Sequence, residues 1–300
     1  MATWSAIKGA ATYSLDDGNP FYFEGATGVG VPPSRRLFQQ GPMQHGHTDK
    51  GFRYDPGYLF IALWFDGASL ALADTARDLA AAIFKPQRTL AVKIHVVRDD
   101  GALRRIDTHT EGIVDLPAQR PDRLGSWQRF LVRLKAPDPL WYDPTLKNFP
   151  FVTTLTATEG FQIPMVAPFV QEAGDEIDAT ETIAYAGDEK EYPVIRITGP
   201  GNDAVITNVT TDEKLDFTGQ SIPAGDFWEV DCRFDYKTVK NAAGEDVDGF
   251  LTDDSDLATF HLAADPEAAD GNNDIQVQVV SGATTATKVS IQYYDRYSHL

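Results

Sequence analysis

The sequence contains a single cysteine, Cys232, among its 300 residues. One cysteine cannot form a disulfide within the chain or a cysteine-based zinc site, which excludes a disulfide-stapled secreted fold and a zinc finger. The neighbouring residues, EVDCRFD, read as a strand. We therefore predict that Cys232 is a small buried side chain.

Positive charge is also scarce. The sequence has 26 Lys and Arg residues but 44 Asp and Glu residues, which gives a formal charge of -18. This balance excludes a basic nucleic-acid-binding protein, since affinity for duplex DNA comes mainly from Lys and Arg. The deficit lies in the second half: residues 1–150 carry a net charge of +2 and residues 151–300 carry -20. A proline-rich stretch at 137–150 accompanies the change. We predict two domains, 1–148 and 149–300.

Long apolar runs are missing as well. The longest, YLFIALWF at 58–65, is far shorter than the roughly 20 residues that cross a bilayer. The first residues, MATWSAIKG, lack the basic-then-apolar pattern of a signal peptide. We expect no membrane insertion and synthesis in a cytoplasm.

The first half has the patterns of a mainly β domain with one helix. YLFIALWF is typical of a fully buried strand. The segment LADTARDLAAAIFKP predicts a helix that Asp74 or Thr75 caps and Pro86 ends. Its apolar stripe comprises Ala76, Leu79, Ala80, Ile83 and Phe84.

Two further segments of the first half predict strands. RTLAVKIHVVRDDGALRRIDTHTEG alternates apolar and polar residues on both sides of Asp100 and Gly101, which predicts a hairpin. SWQRFLVRL repeats the alternation, with Phe130, Val132 and Leu134 directed inward.

The second half predicts an antiparallel β-sandwich. From residue 190 onward, short strand-like segments recur every 8 to 12 residues between turn clusters. The predicted strands are YPVIRITG, DAVITNV, EKLDF, DFWEVDCRF, YKTVK, LATFHL, DIQVQVV and TKVSIQYYDRY. For residues 150–190 the sequence is compatible with two structures, β-strands or an extended arm.

Three clusters contain residue types that bind metals. His45 and His47, with Asp49 nearby, have a spacing that puts two imidazoles on one side of an extended segment and suits a transition metal, but a third protein ligand at matching spacing is missing. The acidic stretches 253–256 and 265–274 are rich in oxygen ligands, as calcium requires, yet neither has the EF-hand spacing. We favour polar loop residues for the first and solvated acidic turns for the other two, and we predict no metal site.

The sequence has no pattern typical of an enzyme. It lacks the G-x-S-x-G nucleophile elbow, and Cys232 has no activating neighbour. The stretch GATGVG is followed by Pro32 and Pro33 and not by a helix, so it does not form a phosphate-binding loop. No spacing singles out a carboxylate pair for sugar hydrolysis. We predict no catalytic residues and no cofactor.

The order of the segments, more than any one motif, resembles the distal tail protein family of long-tailed, non-contractile bacteriophages. The similarity begins with QQGPMQHGHTDKGFRYDPGYLFIALWF and continues through IFKPQRTLAVKI, RDDGALRRI and LVRLKAPDPLWYDP. Its strongest part comprises YPVIRITGPGNDAVITNVTTDEKLDF, SIPAGDFWEVDCRFDYKTV and FHLAADPEAADGNNDIQVQV. It covers roughly residues 30–297. The long acidic stretch AADPEAADGNND departs from the compact turn expected there.

The resemblance implies a structural protein of the virion tail tip. Six copies would form a ring through the first domain, which is β-sandwich-like with one helix, and the ring would dock on the tail tube protein. Viral DNA would pass through the bore without specific binding. The second domain would be a galectin-like β-sandwich that meets hub, tip or receptor-binding proteins.

A carbohydrate-binding β-sandwich is the alternative, in which host surface glycans stack on exposed aromatic rings. The candidate rings are those of Trp228, Tyr236, Tyr293, Tyr294 and Tyr297.

Overall fold

The computed structural model describes all residues except 1, 44, 113, 115, 117–122, 152–154 and 157–174. The chain divides into two compact units, the first formed by Met1–Pro144 with Tyr297–Leu300 and the second by Thr145–Arg296. The sequence predicts domains 1–148 and 149–300. These bounds and the roles of the two domains remain predictions. Much of the segment 150–190, for which strands and an arm were left open, lies outside the described residues.

The described residues of the first unit form β-strands and one α-helix. The strands are β1 (Thr3–Lys8), β2 (Ala11–Ser14), β3 (Tyr22–Thr27), β4 (Ser34–Gln39), β5 (Thr48–Tyr54), β6 (Gly57–Asp66), β7 (Val92–Val97), β8 (Leu103–Thr110), β9 (Arg123–Leu124), β10 (Trp127–Ala136) and β11 (Trp141–Tyr142). The main path of the antiparallel sheet runs β2-β1-β7-β8-β10-β6-β3, and β4 pairs with β5 in a separate two-stranded sheet.

The α-helix, α1 (Leu70–Phe84), lies where the apolar spacing predicts it. The predicted caps, Asp74 and Thr75, are wrong, because the helix begins one turn earlier and places both inside it. Ser69 is the N-cap, and its hydroxyl accepts a hydrogen bond from the Leu72 amide. Among the described residues, no helix is long and apolar enough to cross a membrane.

The core of the first unit comes from the inward faces of its strands. The predicted residues Phe130, Val132 and Leu134 are buried on β10. The strand β6 differs from the prediction of full burial, because only Leu59, Ile61, Leu63 and Phe65 are in the core. Alternate residues of β6 lie on the opposite face and are only partly covered. An apolar run therefore does not ensure that both faces of a strand are covered within one chain.

The second unit contains two antiparallel sheets. Its strands are β12 (Lys147–Pro150), β13 (Leu155–Thr156), β14 (Glu176–Ala184), β15 (Val194–Thr198), β16 (Gly201–Asn208), β17 (Glu213–Asp216), β18 (Ser221–Ile222), β19 (Phe227–Asp231), β20 (Thr238–Asn241), β21 (Asn272–Ser281) and β22 (Lys288–Tyr293), and β23 (Arg296–Tyr297) follows. The 3-10 helices are Asp248–Phe250 and Ala269–Gly271. The strand orders are β12-β22-β15-β19-β20 and β13-β14-β21-β16-β17.

Buried residues from both sheets of the second unit form one hydrophobic cluster. Ile195 and Ile291 come from one sheet, and Ile206 and Val277 come from the other. Period-two alternation in these strands produces this arrangement, since each sheet has one apolar face that must be covered. The prediction of a mainly β chain with one α-helix is confirmed.

One predicted strand of the second half, LATFHL, is wrong. Phe260 and Leu262 are buried as the pattern suggests, but the segment forms turns and a single bridge from Leu262 to Glu191. Apolar residues two apart are compatible with any segment whose side chains reach the core alternately, because the spacing does not specify backbone pairing.

Candidate functional site

The hairpin formed by β4 and β5 is the most exposed regular structure in the first unit. All residues of β4 are exposed, and in β5 only Tyr54 is partly buried. The exposed fractions include 61% for Phe38 and 51% for Phe52. We call Ser34–Tyr54 the arm. The sequence patterns predict a polar loop here and not a hairpin. The segments SRRLFQ and TDKGFRY, which flank a turn that contains Gly41 and Gly46, are the feature that could have predicted the two strands.

One exposed ion pair joins the two strands of the arm, and a second lies at its base. Arg36 contacts Asp49 at 2.5 Å, and Arg35 contacts Asp55 at 3.4 Å. The Gly51 amide and the Arg36 guanidinium hold the pKa of the Asp49 carboxyl below its usual value. The ring of His47 lies 6.0 Å from that of Phe38. Asp49, which lies near His45 and His47 in the sequence, is thus engaged within the arm.

The acidic stretch 253–256 in the second unit contacts the side chain and the backbone of Lys214. The ammonium of Lys214 lies 2.6 Å from an Asp254 oxygen and 3.3 Å from an Asp216 oxygen. The Lys214 backbone amide donates to Asp256. The carboxylates therefore fasten this turn to β17. Within the described ranges, no three His, Cys, Asp or Glu residues are arranged to hold a metal ion.

The second acidic stretch, 265–274, contains both structural and exposed residues. Asn273 is fully buried, accepts a hydrogen bond from the Ala263 amide and donates to the Ala263 carbonyl. Glu267, by contrast, is largely exposed, with one oxygen 3.5 Å from Nε2 of His261. Asn273 therefore anchors this stretch to the backbone at Ala263.

His261, the one histidine between residues 145 and 296, pairs with a carboxylate. Its Nδ1 lies 2.9 Å from Oε2 of Glu213, and the two side chains are 7% and 14% exposed. Although burial opposes the charged form, the Glu213 carboxylate raises the pKa of His261 above its usual value. Burial also opposes ionisation of Glu213, but the His261 hydrogen bond lowers its pKa. Each partner thus favours the charged form of the other, and the two buried side chains form an ion pair within the fold.

The aromatic residues proposed for glycan binding do not form one exposed platform. Trp228 and Tyr293 belong to the core, with exposed fractions of 2% and 6%. Tyr294 is partly buried. In the first unit, Tyr297 is partly buried and the guanidinium of Arg104 lies 3.4 Å from its ring centroid. The structure describes all five of these residues, and among them only Tyr236 is exposed.

Tyr236 belongs to a small exposed aromatic turn. Its exposed fraction is 58%, and the neighbouring Phe234 reaches 63%. The guanidinium of Arg233 lies 4.6 Å from the Tyr236 centroid, and the ring of Tyr192 meets Phe234 edge to face at 4.5 Å. These contacts hold two rings in place at one end of the sandwich.

Cys232 is fully buried, as predicted. Burial raises the pKa of its thiol to about 12. Because the thiolate is the reactive form, this cysteine is not a nucleophile near neutral pH.

Cavities in the first unit are small. One depression of about 80 Å³ is lined by Gly28, Pro32, Tyr58, Ile106 and Pro139 among others. An open trough of about 270 Å³ lies between β3, β6 and β10. Both fall below the roughly 300 to 1,000 Å³ typical of small-molecule sites.

No protein family in the comparison matches this sequence, and no curated protein matches it either. Solved structures do match its fold. The Dit protein (gp 19.1) of phage SPP1, described as a paradigm of the hub adsorption apparatus in phages that infect Gram-positive bacteria, has a TM-score of 0.63 and 15% identity over 98% of each chain.

Two structures of the phage P2 baseplate, in its activated conformation with Ca and with Sr, also align. Their TM-scores are 0.47 and 0.42, at 9% and 10% identity, with 100% of both chains covered in each case. The resemblance to distal tail proteins that the order of segments predicts is confirmed at the level of the fold. Over nearly its full length, the chain has the fold of the SPP1 distal tail protein.

Proposed function

We propose that this protein is a structural component of the tail tip of a long-tailed, non-contractile phage. Six copies form a ring at the distal end of the tail tube and connect it to the hub, the tip proteins and the receptor-binding proteins. The protein is assembled in the cytoplasm of the host bacterium and resides in the virion. The observation that carries the proposal is the likeness to SPP1 Dit over 98% of each chain.

The arm supports the proposal that copies associate through the first unit. A two-stranded hairpin is marginally stable at best by itself in water. This one has no sheet of its own beyond β4 and β5 and exposes Leu37, Phe38 and Phe52. A neighbouring copy that covers these side chains would stabilise the hairpin and remove apolar surface from water.

The division of charge supports the orientation of the ring. Residues 1–150 carry a net charge of +2, so six copies can pack closely through this half. Residues 151–300 carry -20 and are suited to the outside, where a galectin-like domain meets other tip proteins. DNA passes through the bore without specific binding, because a chain short of Lys and Arg gains little from counterion release. We infer no enzymatic activity.

Light scattering after size exclusion tests the ring. Six chains of 33.0 kDa give a particle of roughly 200 kDa, and negative-stain microscopy should reveal six-fold symmetry. A paired change of Phe38→Ser and Phe52→Ser should weaken the assembly at least 10-fold. Val209→Ser, at a 53% exposed valine of the second unit, is the control and should leave it intact. A wild-type protein that stays monomeric at micromolar concentration contradicts the proposal.

Carbohydrate binding is the second candidate, and the exposed rings of Phe234 and Tyr236 are the observation that favours it. If it holds, a glycan array should report binding by the full chain that Tyr236→Ala abolishes. Val280→Ala, at a 57% exposed residue of the same unit, serves as the control. An array without hits, or hits that survive Tyr236→Ala, removes this candidate.

A further inference from the structure

The outer face of β3, β6 and β10 in the first unit has an unusual composition for a surface in water. We define this outer face as Tyr22, Glu24, Tyr58, Phe60, Ala62, Trp64, Arg129, Leu131, Arg133 and Lys135. Leu131 is 46% exposed and Tyr22 is 37% exposed, while Phe60, Ala62 and Trp64 are partly covered. Polar residues usually occupy the solvated face of an antiparallel sheet, so an apolar centre here requires an explanation.

The register of the strands places the apolar residues together. Ala62 is paired with Leu131 on β10, and Phe60 is paired with Arg133. Trp64 is paired with Tyr22 on β3, and the two rings stack at 4.0 Å. The open trough of about 270 Å³ lies over Ala62, between Phe60 and Leu131. The result is a shallow, apolar-floored depression across three strands.

The charged residues of the outer face are neutralised within the chain. Arg129 contacts Glu24 at 2.5 Å. Arg133 and Lys135 share Glu111, at 3.4 and 3.3 Å. The Arg133 guanidinium also lies 4.6 Å from the centroid of Tyr58. Three cations and two carboxylates leave a net charge of +1. Removing water from a cation that already has a carboxylate partner costs less free energy than removing it from an isolated cation.

This charge balance identifies the occupant. A surface with paired charges and an apolar centre complements another near-neutral surface, and it offers little to DNA or to a strongly acidic protein. Residues 1–150 of a second copy, with their net charge of +2, meet that description. A ring contact also requires two different surfaces on each copy, and the arm is a second exposed apolar surface in the same unit.

The pattern of β6 is consistent with this occupant. YLFIALWF is a continuous apolar run, which is typical of strands covered on both faces. Within one chain only Leu59, Ile61, Leu63 and Phe65 are covered. Ten residues of β6, ten of β10 and six of β3 form this face, which presents roughly 400 Å². That is about half of the ~800 Å² that each partner buries in a stable interface.

We infer that the outer face of β3, β6 and β10 is a subunit contact of the ring, covered by the first unit of a neighbouring copy. The inference rests on the proposed function, because it names the surface through which the proposed ring closes. It assigns the partly covered aromatic residues of β6 to recognition between copies.

Leu131→Glu tests the contact, since it introduces a charged carboxylate at the apolar centre of the outer face. The exposure of Leu131 lets the variant fold, and circular dichroism checks that it does. We expect a subunit affinity at least 10-fold weaker than that of the wild type, measured by light scattering over a dilution series. Val97→Glu is the matched control, because Val97 is 40% exposed at the end of another strand of the same unit.

Hydroxyl-radical footprinting of the wild-type protein supplies a readout that needs no variant. Leu131, Trp64 and Tyr22 should be oxidised several-fold more slowly in the assembled protein than in the dilute monomer. Ring assembly by Leu131→Glu at wild-type affinity, or equal oxidation in both states, overturns the inference and leaves the proposed ring standing. A wild-type protein that never assembles removes the proposed function itself.

Discussion

Replacing His261 by glutamine should destabilise the second unit at pH 5.5 and have a much smaller effect at pH 9. The imidazole donates from Nδ1 to Glu213 at 2.9 Å, and both side chains are at least 86% buried. A hydrogen bond between charged groups contributes about 1.5 to 3 kcal/mol. Glutamine keeps one polar atom near Glu213 and loses the charge, so we expect a loss of about 2 kcal/mol at pH 5.5.

The sign of the pH dependence follows from the two pKa shifts. Glu213 raises the folded-state pKa of His261, so its stabilisation is complete below the unfolded value of about 6.5 and is lost as pH rises through the folded pKa. His261 lowers the pKa of Glu213, so that contribution is present above about pH 4.3 and is lost as pH falls. The pair therefore stabilises the fold most between these values.

Urea unfolding at the two pH values measures the effect. Trp228 is the one tryptophan between residues 145 and 296, so the 19F signal of 5-fluorotryptophan at this position reports on the second unit alone. His109→Gln, at an exposed histidine of the first unit, is the control and should not change the Trp228 transition. A His261→Gln cost that is equal at pH 5.5 and pH 9 would refute the assignment of a charged pair.

Three other outcomes follow from local geometry. Gly28→Ala should cost more than about 3 kcal/mol, because φ is +87° and a Cβ would lie 1.9 Å from the Tyr58 carbonyl oxygen. Gly101→Ala, at φ +83° with open space, should cost only about 1 to 2 kcal/mol, and equal losses in thermal unfolding would contradict the steric argument. Ser69→Ala should cost about 1 kcal/mol by calorimetry through loss of the helix cap, and no change would show that the cap contributes nothing. Cys232 should resist thiol reagents in the native protein at pH 8 and react after denaturation, and rapid native labelling would contradict its burial.

Local periodicity was sufficient for much of the framework. The alternation in SWQRFLVRL correctly predicts the inward residues of β10, and the spacing of Ala76, Ala80 and Ile83 correctly predicts α1. These predictions succeed because side-chain direction repeats every two residues in a strand and every 3.6 in a helix. The order of segments also carried the resemblance that the fold comparison bears out.

Predictions failed where several choices of hydrogen-bond partner suited the same residue pattern. Ser69 and not Asp74 caps α1, because the helix could begin earlier. LATFHL reaches the core without pairing as a strand, and the arm forms without an apolar core of its own. Each outcome depends on which backbone groups find partners, and residue spacing does not contain that information.

The sequence by itself determined the mainly β character, the single helix, the burial of Cys232 and the contrast in charge between the two halves. Only the tertiary structure decided that Trp228 is core while Tyr236 is exposed, that His261 meets Glu213, and that one face of β6 remains partly open. The physical reason is that periodicity specifies which side chains share a face. What covers that face is decided by segments far away in the chain or by another molecule.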